Sequence, residues 1–210
     1  MRHNKFDALI IEEQFITRDY LRRFTPPVGR APVVIDVGGY IGDFALYCAH
    51  ELQAKVLVYE PAAENWSMLQ RNLKLNPHLA DRVVAVNKGV SAGSEVVANV
   101  LVIGREVHVS SHWYANDSTA EQRTFACDSL QEILDANGLD YVDLLKVDCE
   151  GGEYDVFSVA TPDVFRRIGQ IVFEWHRVPG WEDKLPVLEQ SLSQAGFSLE
   201  RRGQLIYATR

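Results

Sequence analysis

Apolar and polar positions along the chain switch repeatedly between two periods. Val33-Val34-Ile35-Asp36-Val37 is a nearly unbroken apolar run of strand length, the pattern of a parallel strand buried on both faces. Gly38-Gly39 follow, and then a stretch over 42–52 whose apolar residues recur at helical spacing. The couplet repeats as a strand over 55–60, a helix over 64–75 stopped by Asn76-Pro77, and a strand over 83–88. Farther on the pattern predicts a strand over 123–127, a helix over 129–137, a strand over 142–148, a helix over 151–159, a strand over 170–176 and a helix over 183–195. Two last runs, 197–201 and 205–209, meet at Arg202-Gly203 and predict an antiparallel hairpin at the sheet edge. Alternating strands and helices of this kind imply an α/β fold: a mostly parallel sheet with helices on both faces.

Two segments depart from the rhythm. Phe6, Leu9, Ile10, Ile16, Tyr20 and Phe24 fall at helical spacing ahead of Pro26-Pro27, which predicts an N-terminal helical cap within 1–27. The stretch 94–122 reads as an insertion: strands over 95–103 and 106–110 joined at Gly104-Arg105, then a polar loop carrying His112, Trp113 and Tyr114. Loops on a rigid sheet carry specificity, so these two segments are where an acceptor would be selected. No repeat, low-complexity tract or linker divides the chain, and 210 residues make one domain, 1–210.

Composition narrows the function classes. A net charge of −8 argues against a surface that tracks nucleic acid, which needs a basic stripe. No window approaches the roughly 18 apolar residues that span a bilayer, and no apolar stretch follows the basic N-terminal residues as a secretory signal requires. Cys48, Cys127 and Cys149 are too far apart for a zinc motif and odd in number for a disulfide framework. The expectation is a reduced, cytoplasmic protein whose partner is a small molecule, with no nucleic acid and no membrane.

Three stretches carry chemistry. In the first, Gly38 and Gly39 let the backbone turn sharply and approach a ligand without a Cβ, and Gly42 permits close packing where the helix starts. Glu60 lies 24 residues beyond Asp36, near the roughly 20-residue spacing at which a second-strand acid reaches ribose hydroxyls. The dinucleotide fingerprint wants glycines at i, i+2 and i+5, and Val37 stands in its first place. Asp36 and Asp43 also put carboxylates around the turn, which repel a diphosphate and suit a ligand with an amino group and a positive centre, such as S-adenosylmethionine (SAM). In the second stretch, Leu144-Leu145-Lys146-Val147 delivers Asp148 to a strand's carboxyl end, with Glu150 and the flexible Gly151-Gly152 beside it. In the third, alternation along Ile171-Val172-Phe173-Glu174-Trp175-His176 puts Glu174 and His176 on one face, and His176 titrates near neutrality.

Taken in order, Asp36-Val37-Gly38-Gly39-Tyr40-Ile41-Gly42-Asp43, Tyr59-Glu60-Pro61 with Asn72 downstream, Asp128-Ser129-Leu130, Leu145 to Glu153 and Glu174-Trp175-His176 resemble the FkbM-type family of SAM-dependent methyltransferases. The resemblance runs over roughly 30–208 and implies a Rossmann-like class I methyltransferase sheet of seven strands whose last strand is antiparallel. It implies SAM as cofactor and, usually, O-methylation of a hydroxyl on a sugar, polyketide or other small metabolite of natural-product biosynthesis. Carried over by position, Gly38 and Gly42 frame the methionine part of SAM, Glu60 takes the ribose hydroxyls, and Asp148 sits beside the amino group and sulfonium. The family usually has Ala-Asn where Gly39-Tyr40 stand here, so Tyr40 reshapes the pocket.

The expected cofactor-binding set is therefore Asp36, Gly38, Gly39, Tyr40, Gly42, Glu60 and Asp148. The expected catalytic set is His176 as base, oriented by Glu174 or Glu150, together with Asp148. His112 is the reserve base. Asp148, Glu150, Glu174 and His176 also form an oxygen-rich set that could hold a divalent ion. The same residues serve a SAM amine and a base, so no metal is assigned. An NAD-dependent oxidoreductase and a non-catalytic SAM-binding protein are the alternatives.

Overall fold

The computed structural model of the chain describes residues 16–103, 106–110, 112 and 117–210. The first part of the expected N-terminal helix, the Gly104-Arg105 turn, Trp113 and Tyr114 lie outside the described residues. The described part of the cap does not continue as a helix to Phe24. Arg18 takes a left-handed φ of 55°, and the short 3-10 turn Asp19–Leu21 follows.

In chain order the strands are β1 (Val33–Val37), β2 (Lys55–Tyr59), β3 (Val83–Val86), β4 (Gly89–Val90), β5 (Glu95–Ile103), β6 (Glu106–Ser110), β7 (Glu121–Asp128), β8 (Val142–Val147), β9 (Ile168–Glu174), β10 (Ser198–Arg202) and β11 (Leu205–Thr209). The helices are α1 (Asp43–Glu51), α2 (Ala63–Leu75), α3 (Leu130–Ala136), α4 (Glu153–Ser158), α5 (Pro162–Arg166) and α6 (Lys184–Gln194). Seven strands form the main sheet in the order β10-β11-β9-β8-β1-β2-β3. β1, β2, β3, β8 and β9 run parallel, and β11 is antiparallel to both of its neighbours.

The sheet is covered on both sides, as the alternation predicts. Ile35, Val37, Leu145, Val147, Ile171 and Phe173 face one layer, packed against apolar residues of α3, α4, α5 and α6. Val34, Val56, Val58, Leu144 and Val172 face the other, against Phe44, Ala45, Cys48 and Ala49 of α1 and Leu69 and Leu73 of α2. Helix starts follow local chemistry. Ser129 and Glu132 form a capping box on α3, and the Thr161 hydroxyl accepts from Val164 N–H at the start of α5.

The last hairpin sits at the sheet edge as expected, β10 outermost and β11 between β10 and β9. The three central residues of β11, Ile206, Tyr207 and Ala208, are buried on both faces, whereas Ser-Leu-Glu-Arg-Arg of β10 suits an exposed edge. One other expectation is corrected: the strand over 123–127 does not continue the parallel sheet. It belongs to β7, which joins a second sheet in the order β4-β7-β5-β6, antiparallel to β5 and parallel to β4. Phe125 and Cys127 are buried while their neighbours face out, the pattern of a strand covered on one face only. The expected insertion is thus wider than 94–122 and folds as a small sheet over the carboxyl ends of the main strands. Among the described residues no helix is long and apolar enough to cross a membrane.

Candidate functional site

A cavity of about 310 Å³ opens between the carboxyl ends of the main strands and the second sheet. Its floor includes Tyr20, Gly38, Tyr40, Glu60, Asp148 and Glu174, and its roof Val96, Ala98 and Val107. Carboxyl ends of an open α/β sheet are where ligands bind, since helix N-termini and loops converge there.

The glycine turn is shaped by close approach. Gly38 has φ +79°, and a Cβ there would lie 1.7 Å from the Asp148 carbonyl oxygen. A Cβ on Gly39 would lie 2.0 Å from Val58 Cγ2. Both amides donate to the Tyr59 carbonyl, at 3.0 and 2.9 Å, which ties the turn to the end of β2. Tyr40, at φ 46°, donates its N–H to Glu60 Oε2 at 2.9 Å, while Glu60 Oε1 accepts from Ala62 N–H at 2.9 Å. Burial pushes the Glu60 carboxyl up to about 7, against the pull of those hydrogen bonds. The two residues the sequence expects to meet the ligand are therefore already joined through the backbone.

Asp36, Gly39 and Gly42 stand behind this wall and do not line the cavity. Asp36 is fully buried and sits in register with Lys146 on the neighbouring strand, their charged groups 3.0 Å apart. Lys146 Nζ also donates to the Gly38 carbonyl at 2.8 Å and lies 3.8 Å from Asp148 Oδ2. Burial works against the ammonium, but Asp36, Asp148 and Asp43 outweigh it and hold Lys146 well above its ordinary value. Asp43, at the cavity wall, is pushed up to about 7 by burial. Lys146 was absent from the expected site. A lysine inside an otherwise apolar strand was the available signal, because such a charge survives burial only when paired.

The acid side is gathered from β8, β9 and the turn after β8. Glu174 ends β9, and His176 follows beyond the strand's last ladder residue. The His176 ring is oriented by Glu153, not by Glu174 or Glu150 as expected. Nδ1 lies 3.1 Å from Glu153 Oε1, which also accepts the His176 backbone N–H at 2.7 Å. Nε2 faces Glu174 Oε1 at 3.9 Å and Glu150 Oε2 at 4.0 Å. Burial lowers the imidazole, yet Glu153, Asp148 and Glu150 more than offset it and raise His176 to about 9. At neutral pH His176 is an imidazolium that balances the acids, and proton abstraction by it belongs to more alkaline conditions. Glu153 was not among the expected site residues. Its full burial, visible only in the fold, makes it the fixed partner.

Glu150, at φ 53°, is pushed up to about 7, chiefly by burial. His112, the reserve base, packs on the Trp181 ring at 4.0 Å and is not part of the cavity wall. Asp148, Glu174 and His176 offer ligand atoms within 4.8 Å of one another, a spacing a divalent ion accepts. Each is already engaged by protein. The Tyr20 hydroxyl lies 2.8 Å from Asp148 Oδ2 and 2.9 Å from Glu174 Oε2, and Glu153 holds His176. The cluster is a hydrogen-bonded set of acids, and no metal is assigned to it.

These groups carry a pH signature. The folded-state values of Asp43, Glu60 and Glu150, about 7, lie above their ordinary 3.8 to 4.5, and that of His176, about 9, lies above 6.5. For groups raised in the folded state, the stability they contribute is complete below the unfolded-state value and is lost as pH rises through the folded one. The ligand-free protein is therefore expected to lose several degrees of Tm between about pH 4 and pH 9, the carboxyls acting up to about pH 7 and His176 above it, with the partly exposed Glu150 contributing least. Scanning calorimetry across that window checks it, and a Tm that rises with pH contradicts it.

A glycine turn bonded to the acid after β2, a seven-stranded sheet with one antiparallel strand, and an acid-lined cavity at the strand ends define a class I SAM-dependent methyltransferase. The chain belongs to the FkbM family, since the profile of the Methyltransferase FkbM domain matches residues 36–199. It is similar to methyltransferase sdnD of Sordaria araneosa, 27% identical over 91% of this chain and 84% of that protein. It is also similar to methyltransferase 1 of Beauveria bassiana, 29% identical over 67% of this chain and 63% of that one. Among solved structures the fold matches a precorrin-6y C5,15-methyltransferase from Geobacter metallireducens, with TM-score 0.50, 15% identity, and 94% and 85% of the two chains covered. It likewise matches a human methyltransferase 10 domain containing protein, with TM-score 0.51, 14% identity, and 96% and 79% covered.

The residues present fit SAM. Gly38, without a side chain, presents bare backbone at the cavity floor. The acids around that floor match a cofactor with a sulfonium and an ammonium group, and Gly38, Tyr40, Glu60 and Asp148 are placed to hold it.

Proposed function

We propose that the protein methylates a hydroxyl oxygen of a small metabolite, with SAM as donor. The observation that supports this most directly is the cavity itself, in which the glycine turn and Glu60 share one wall with the acid cluster around Asp148. SAM, when bound, supplies an electrophilic methyl group whose departure leaves the C–S electron pair on sulfur. The chain's own contribution is positional and electrostatic. Gly38 and Tyr40 present backbone, Glu60 offers a carboxylate to hydroxyls, and Asp148 offers one to a cation. A roofed, acid-lined cavity in a chain of net charge −8 favours a small neutral or cationic acceptor over a polyphosphate or nucleic acid.

Isothermal titration with S-adenosylhomocysteine and with NAD tests the cofactor. Micromolar binding of the first and none of the second is expected, and the reverse overturns the reading. Transfer of labelled methyl from SAM to hydroxylated small molecules, with RNA and amine substrates in parallel, then tests the acceptor. EDTA is expected to leave turnover unchanged, and loss restored by magnesium would establish a metal-assisted transfer instead.

A further inference from the structure

Tyr20 lies upstream of the matched residues 36–199, yet it reaches the cavity floor and is 7% exposed. We propose that Tyr20 is a positioning residue of the acceptor side: its phenol joins Asp148 and Glu174 into one hydrogen-bonded acid pair, and that pair takes the acceptor's proton.

The geometry limits the protons. The phenol oxygen is 2.8 Å from Asp148 Oδ2 and 2.9 Å from Glu174 Oε2. A phenol has one proton, and an ionised carboxylate only accepts, so two such contacts require a second proton on one of the acids. Burial first and the Asp148 charge second raise the Glu174 carboxyl, against His176, Tyr20 and Lys146, which favours a proton shared within the pair. Tyr20 itself is pushed far above its ordinary value, by burial and then by the two acids, so its phenol keeps its proton. Asp148 Oδ2 also lies 3.8 Å from Lys146 Nζ. His176, already an imidazolium, is not available to take a proton at neutral pH. The acceptor's O–H bond breaks, its electron pair stays on oxygen, and its proton passes to the ionised member of the pair, so the trio goes from one negative charge to none.

The phenol is delivered by a segment that the sheet holds from several sides. Tyr207 of β11 donates its hydroxyl to the Asp19 carbonyl at 2.7 Å, Arg23 pairs with Glu200 of β10 at 2.6 Å, and Thr25 N–H donates to Gln170 of β9 at 3.1 Å. The Tyr20 ring packs edge-on against Phe44, centroids 5.7 Å apart, beneath the Lys146 ammonium. Tyr20→Phe retains all of this and removes only the hydroxyl.

The inference rests on the hydroxyl-acceptor reading above, but its first test needs no acceptor. Carboxyl carbon NMR on protein labelled at Glu and Asp, with Glu174 assigned through Glu174→Gln, follows the acid directly. Tyr20→Phe is expected to shift the Glu174 midpoint, because it removes the phenol through which the two acids share a proton. Asp148→Asn is expected to lower it by removing a like charge. A Glu174 midpoint unmoved by both overturns the pairing, and if Tyr20→Phe does not fold, Asp148→Asn carries the test alone. Against a hydroxyl substrate, Tyr20→Phe is expected to cut kcat by about 10²-fold with KM for SAM unchanged and to shift the pH profile with the Glu174 midpoint. Unchanged kcat beside a shifted midpoint removes the proton-transfer role. Failure of the wild-type chain to bind S-adenosylhomocysteine would instead overturn the methyltransferase reading and leave the carboxyl pairing standing.

Discussion

Lys146→Met is expected to destabilise the protein by about 3–5 kcal/mol, the cost of leaving a buried charge without its partner. Asp36 is fully buried, and its charged partner is Lys146 Nζ at 3.0 Å. The same ammonium caps the Gly38 carbonyl and faces Asp43 and Asp148. Methionine fills similar space but leaves that group of acids uncompensated at the centre of the sheet. Urea unfolding at pH 7 measures the loss, and the double variant Asp36→Asn with Lys146→Met is expected to recover part of it. The penalty should shrink as pH falls. Burial already holds the Asp36 and Asp43 carboxyls above their ordinary range, so protonation relieves the unpaired charge. A loss below about 1 kcal/mol, in the range of exposed ion pairs, would mean that Lys146 does not hold this cluster together.

Gly38→Ala is expected to weaken cofactor binding by roughly 100-fold. The added methyl would sit 1.7 Å from the Asp148 carbonyl oxygen, a backbone atom that cannot swing aside, and φ +79° strains any L side chain there. The turn must move away from β8, and the Gly38 wall moves away from Asp148. A displacement costing the bound state about 3 kcal/mol corresponds to roughly 100-fold in affinity for S-adenosylhomocysteine. Gly203→Ala is the control, since it has φ +58° and no heavy atom within 4 Å of the new Cβ. It should cost about 1–2 kcal/mol of stability from the left-handed backbone alone and leave binding intact. Equal affinity in Gly38→Ala and wild type would show that the ligand does not use this turn.

Much of the scaffold was legible because burial on both faces leaves a plain imprint. Val33 to Val37, Lys55 to Tyr59 and Val142 to Val147 read as strands from their apolar runs, and Gly38-Gly39 and Glu60 mark the ligand end by their local sequence. What misled was equally local. The residues of β7 have ordinary strand character, and nothing in Glu-Gln-Arg-Thr-Phe-Ala-Cys-Asp states which sheet receives them. β4 spans two residues and α5 five, too short for a periodic signal.

The site divides along the same line. Local order along the chain was enough to mark the strand ends, the glycine turn and the acids at 60, 148, 150 and 174, because each of these announces itself by its neighbours in sequence. Pairing between distant residues was not. Asp36 meets Lys146 across two strands, His176 turns to Glu153, and Tyr20 bridges Asp148 and Glu174 from 128 and 154 residues away. Charge state in a protein follows burial and partners, and both are properties of the assembled layers. The chain order thus determined a nucleotide-type cofactor fold with acids at its rim, and tertiary packing alone decided which acids meet Tyr20, that Glu153 raises the His176 imidazole, and that Asp36 serves Lys146 behind the cavity wall.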